Sequence, residues 1–174
     1  MAFILELLRF LLPSLVLLAL VYVLLRSYLK HEEQKATAER KKHGDNVTIP
    51  LRLQAYERLI LLLERFKMSG LIMRNNLPGM TAQDLHNALL LNIRDESEHN
   101  LSQQLYVSAQ TWEMVKNARE ETVKLINTTA SKLAKETTAT ELAQNLLIAD
   151  IDQSNLVIEN ALNFIKVEAQ KELM

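Results

Sequence analysis

Glu96 and His99 stand three residues apart in the stretch Arg94-Asp-Glu-Ser-Glu-His-Asn-Leu-Ser-Gln-Gln104. On a helix that spacing sets a carboxylate and an imidazole on one face, and paired copies of it inside four-helix bundles build di-iron sites. This chain holds one copy, because His31, His43 and His86 each lack a glutamate three residues earlier. A second copy could come only from a second chain, so a hydrogen-bonded or interface histidine is the stronger reading. No metal or other cofactor is expected. Other catalytic patterns are missing too. The chain has no His-Glu-x-x-His, no Gly-x-Ser-x-Gly and no glycine-rich phosphate loop, and with no cysteine it offers no thiol nucleophile. The serines, histidines and aspartates are scattered without a triad pattern. These residues point away from an enzyme and away from a small-molecule substrate.

The same stretch is unusual for its polarity. Of its eleven residues only Leu101 is apolar. The helical stripe Leu85, Leu89 and Ile93, continued in steps of three or four, reaches Glu96, Asn100 and then Gln103 or Gln104. An apolar face thus turns polar partway along a helix. Such groups make a poor interior unless each finds a partner, so they are expected to be solvated or to hold another protein. Glu96, Glu98, His99, Asn100, Gln103, Gln104 and Tyr106 are the expected partner-binding residues. Trp112, the only tryptophan, reads as a core anchor rather than a binding platform.

The elements that must position this stretch follow from composition and punctuation. Among 174 residues, 48% are hydrophobic and 24% charged, with only 3 Gly and 3 Pro, too few turn formers for a multi-stranded β fold. A formal charge of −1 argues against a dedicated nucleic-acid binder. The fold class is therefore all-α. From Phe10 to Leu25 no side chain is charged, and extension back to Ala2 crosses only Glu6 and Arg9. This is read as an uncleaved transmembrane anchor over residues 1–25, since a span needs roughly 20 helical residues. Arg26, Lys30, Lys35, Arg40, Lys41 and Lys42 follow, giving residues 26–42 a net charge of +3. Basic flanks stay on the cytoplasmic side, so the N-terminus is expected outside and the remainder in the cytoplasm.

Residues 26–49 then read as a basic helical stalk and linker, and residues 50–174 as a cytoplasmic helical domain. Gly44 and Pro50 bracket one expected break, and Ser69 to Met80 form another. Pro50 is expected to open a helix carrying Leu53, Tyr56, Ile60, Leu63 and Phe66 on its buried stripe. Thr81 with Asp84, and Thr138 with Glu141, read as capping boxes, and Ser108 as a further N-cap. The second long helix is expected to run to about Lys135, and a last one from about Ser154 to bury Ile158, Ala161, Leu162 and Ile165.

The runs Pro50-Leu-Arg-Leu-Gln-Ala-Tyr-Glu-Arg-Leu59, Leu77-Pro-Gly-Met80, Glu98-His-Asn-Leu-Ser-Gln-Gln104, Tyr106-Val-Ser108 and Trp112 resemble an uncharacterised family of small single-pass membrane proteins from Bacteroidota. The likeness extends from the membrane helix to about Asn127. It implies a lineage and a membrane location, and no activity. The expected function is a non-enzymatic accessory or scaffold subunit of an inner-membrane complex, with protein export or envelope machinery as possible hosts. Its partners are other inner-membrane proteins and the lipid bilayer. The competing reading is a self-assembling homo-oligomer, for which Tyr28, Leu29, Ala36 and Ala38 make only a thin stalk seam, and a remote third is a metal-dependent enzyme resting on Glu96 and His99 alone.

Overall fold

The computed structural model describes the backbone of residues 2–134, 136–152 and 154–173, and their side chains except those of 2–16, 19, 34, 36–46, 151–152 and 154. The fold is all-α. Among the described residues six α-helices follow in order: α1 (Ala2–Phe66), α2 (Met68–Asn75), α3 (Ala82–His99), α4 (Ala109–Ser131), α5 (Ala139–Asp152) and α6 (Ser154–Lys171), with a 3-10 turn at Leu101–Leu105. Two compact units divide the chain, Met1–Thr48 and Ile49–Met174.

In the first unit the described apolar side chains from Leu17 to Leu25 are all exposed, from 44% at Val21 to 69% at Leu18. Among the described residues no helix is long and apolar enough to cross a membrane. The side chains of residues 1–16, which hold most of the expected anchor, lie outside the described set, as does the stretch 36–46 of the expected stalk.

One expected break is overturned. The backbone stays helical through Gly44 and Pro50, so Pro50 lies inside α1 rather than opening a helix. A proline removes one bond of the ladder, at a cost of about 3 kcal/mol, and a glycine adds about 1 kcal/mol. Both penalise a helix without forbidding it. The second expected break is overturned in part. Only Asn76 to Met80 is non-helical, with Gly79 at φ 83, whereas Met68–Asn75 forms α2 through Ser69 and Gly70. Met68, Leu71 and Ile72 are buried at helical spacing. Their burial, at about 1.5–3 kcal/mol each, outweighs the glycine penalty.

The core of the second unit is built as the periodicity predicts. Tyr56, Leu63 and Phe66 of α1, Leu85, Leu89 and Ile93 of α3, and Ile158, Ala161, Leu162 and Ile165 of α6 are all buried, and Leu53 and Ile60 partly so. Trp112 packs half-buried against that core. The caps form where expected. Thr81 Oγ1 accepts from the Asp84 amide at 3.1 Å while the Asp84 carboxylate accepts from the Thr81 amide at 3.1 Å. The Thr81 hydroxyl also donates to that carboxylate at 2.7 Å, and this bond first, with the Thr81 amide second, holds the Asp84 carboxyl below its ordinary range. Thr138 and Glu141 repeat the box with both bonds at 3.3 Å. The two boxes sit side by side, because the Ala82 amide donates to Thr137 O at 3.0 Å and the Ala139 amide to Met80 O at 3.3 Å. The helices after Lys135 pack on the bundle: α5 lies against α2, α3 and α4, and α6 against α4 and α5. The end of α4 comes at Ser131, and Lys135 itself lies outside the described residues.

Candidate functional site

Where α3 ends, the polar stretch divides into two surfaces. Asn100 closes the helix by donating through Nδ2 to Glu96 O at 2.9 Å, and the chain tightens into the 3-10 turn. Gln103 points inward and is buried, with Nε2 donating to Ser102 Oγ at 3.2 Å. Leu101, Gln104, Leu105 and Tyr106 face solvent, with Leu105 78% exposed. The Tyr106 carbonyl is held by Arg52 Nε at 3.2 Å, which fixes the turn to α1. This tip is half apolar. Glu98, one turn back, is exposed and pairs with Arg94 at 2.8 Å, which keeps its carboxyl below the ordinary range.

The second surface is a groove of about 410 Å³ between α1 and α3. Arg58, Leu61, Leu62 and Arg65 line it from α1, and Asn92, Asp95, Glu96, His99 and Asn100 from the α3 side. Glu96 Oε1 accepts from Arg65 Nη1 at 2.5 Å across the groove. His99 Nδ1 lies 2.7 Å from Asp95 O, and because a carbonyl oxygen only accepts, Nδ1 carries a proton and donates it there. Glu96 and His99, which share a helix face by spacing, are thus each engaged with a different protein group. Among the described residues no group of three His, Asp or Glu could hold a metal ion. Asn92 Oδ1 is buried there without a hydrogen-bond partner, a defect that costs about 1–3 kcal/mol.

Of the seven residues singled out by sequence, the groove gathers Glu96, His99 and Asn100, and the turn gathers Gln104 and Tyr106. Glu98 lines neither, and Gln103 is part of the packing beneath the turn. The α1 wall was missed. Its signal is the pair Arg58 and Arg65, seven residues apart on a stripe next to Leu61, which reads as an ordinary solvated face without its neighbour helix.

A further polar cluster joins distant parts of the chain. Glu168 Oε2 of α6 accepts from Ser108 Oγ at 3.0 Å and from Thr111 Oγ1, and Ser108 also caps α4 through the Thr111 amide at 3.1 Å. Nearby, Arg52 pairs with Glu172 at 2.9 Å and reaches the Tyr56 hydroxyl at 3.4 Å. Burial pushes the Tyr56 phenol up, and the carboxylates of Glu168 and Glu172 add to that shift against the opposing Arg52 bond.

Fold and surfaces together define a class: an all-helical bundle whose polar features are an open groove and an exposed turn. The chain belongs to a family of unknown function, DUF7935, whose sequence profile matches residues 2–172. No curated protein matches the chain, and no solved structure does.

Proposed function

We propose that this chain is a non-enzymatic accessory subunit of a bacterial inner-membrane complex, anchored through residues 1–25 and holding a foreign membrane-complex protein against the turn Leu101–Tyr106. The observation that carries the anchor is the exposure of every described apolar side chain from Leu17 to Leu25. At about 25 cal/mol per Å², leaving such a band in water is costly, and a bilayer removes that cost. Counting back to Phe10 gives only 16 uncharged residues, and continuing to Ala2, across Glu6 and Arg9 alone, brings the run past the roughly 20 a span needs. Tyr22 and Tyr28, with Arg26 and Lys30 between and after them, fit the aromatic and basic belt at a membrane surface. By the tendency of basic flanks to stay inside, that flank supports a cytoplasmic second unit.

For the partner, the support is the turn itself. Leu101 and Leu105 are exposed beside Gln104 and Tyr106, and Arg52 holds the backbone in place. Apolar anchors rimmed by polar groups on a fixed backbone are what protein interfaces use. Purification of the tagged full chain in mild detergent, followed by mass spectrometry, tests this. A stoichiometric second polypeptide is expected, and Gln104→Arg with Leu105→Asp should release it at an unchanged melting temperature. A chain extracted by carbonate washing, a carboxyl-terminal tag digested from the periplasm, or a partner that survives the double variant would overturn the proposal.

A further inference from the structure

The α1–α3 groove carries an unmatched charge on each wall. Among the described residues, neither Arg58 nor Asp95 takes part in an ion pair. Asp95 acts on Arg94 only through space. Both are exposed, Arg58 on α1 and Asp95 on α3, and both line the groove that Arg65 and Glu96 bridge. Each has an exposed leucine one turn away on its own helix. Leu61, three residues after Arg58, is 54% exposed and lines the same groove. Leu91, four residues before Asp95, is 59% exposed. The helical spacing puts each leucine on the same face as its charged neighbour.

A cation on one wall and an anion on the other, with an apolar side chain beside each, form a surface that is its own complement. Under a two-fold rotation each unmatched charge meets its opposite, and every such contact occurs twice. A foreign partner would have to supply both charges in the same arrangement, whereas a second copy supplies them by symmetry. We propose that this groove is the contact face between two copies of the chain, with Arg58 of each facing Asp95 of the partner subunit and Leu61 and Leu91 covered between them. The contact is separate from the turn at Leu101–Tyr106, so a dimer could carry two foreign partners.

The natural absence of cysteine makes the test specific. Arg58→Cys and Asp95→Cys in separate full chains, mixed in detergent micelles, provide one thiol per copy at the two positions set face to face and leave one Arg58–Asp95 contact intact. Mild oxidation should yield a disulfide-linked dimer at about fivefold or more the yield of Thr128→Cys, an exposed position beside a different groove on α4. In the natural chain, Arg58→Glu or Asp95→Arg alone should lower self-association, read by light scattering, by about tenfold or more, and the two together should restore it. Equal crosslinking at Thr128, or a charge-swapped double variant no better than either single one, would overturn the proposal. Neither outcome bears on the foreign partner at the turn, which is read by mass spectrometry on the Gln104 and Leu105 variants.

Discussion

Replacing Glu168 with alanine tests the cluster that joins α6 to the start of α4. The Thr111 hydroxyl is fully buried, and with the carboxylate gone it loses its acceptor, as does the half-buried Ser108 hydroxyl. A hydrogen bond to a charged group contributes about 1.5–3 kcal/mol, and an orphaned buried hydroxyl costs about 1–3 kcal/mol. Because Glu168 is itself only half-buried, water recovers part of that, and Glu168→Ala should cost about 2 kcal/mol. For a unit of roughly 125 residues, an unfolding entropy near 2.1 cal/mol/K per residue turns this into a Tm lower by about 8 °C. Glu168→Gln keeps a carbonyl acceptor without the charge and should lose about half as much. The readout is helical circular dichroism on heating the full chain in detergent. Thr111→Val should cost about 1 kcal/mol less in the Glu168→Ala background than in the natural one, since the partners form one interaction. Additive effects, or a Tm within about 2 °C of the natural chain, would show that the carboxylate does not hold these hydroxyls.

The face of α3 can be checked by paired truncations. Leu89→Ala, at a 0% exposed position, should cost about 3 kcal/mol, whereas Asn87→Ala, at an exposed position two residues away, should alter the melting of the unit by less than about 0.5 kcal/mol. Similar losses at both positions would mean the helix is turned otherwise. Tyr56 gives a pH dependence. Its folded-state pKa is raised above 10.0, chiefly by burial, so the stabilisation of the neutral phenol is complete below that pH and is lost as pH climbs through the raised value. The phenolate absorbance of Tyr56, taken as the difference from Tyr56→Phe, should rise above pH 10 and shift downward in Glu168→Ala. Titration at or below the ordinary value would contradict the buried assignment.

The fold was readable wherever a local signal agreed with the packing. Thr81, Ser108 and Thr138 start helices because a side-chain oxygen three residues before an amide satisfies it whatever lies elsewhere. The stripes Leu85–Leu89–Ile93 and Ile158–Leu162–Ile165 are buried because helical period alone places them on one face. Reading failed where a local penalty was taken as decisive. Gly70 sits in α2 because Met68, Leu71 and Ile72 have a core to enter, and Pro50 sits inside α1. The polar stretch was found as a departure from periodicity, but its division between groove and turn was not visible, since Glu96 is engaged by Arg65 from another helix.

By itself the sequence determined an all-helical chain, the starts of α3, α4 and α5, the inward faces of most helices, and the uncharged run from Phe10 to Leu25. Each of these depends on residues within a few positions of one another. Only the tertiary structure decided that Arg58 and Asp95 share a groove, that Gln103 lies inside while Gln104 lies outside, and that Glu168 serves hydroxyls 57 and 60 residues earlier. Contacts of that kind depend on how helices cross, and helical period fixes which face is apolar without fixing which neighbour that face will meet.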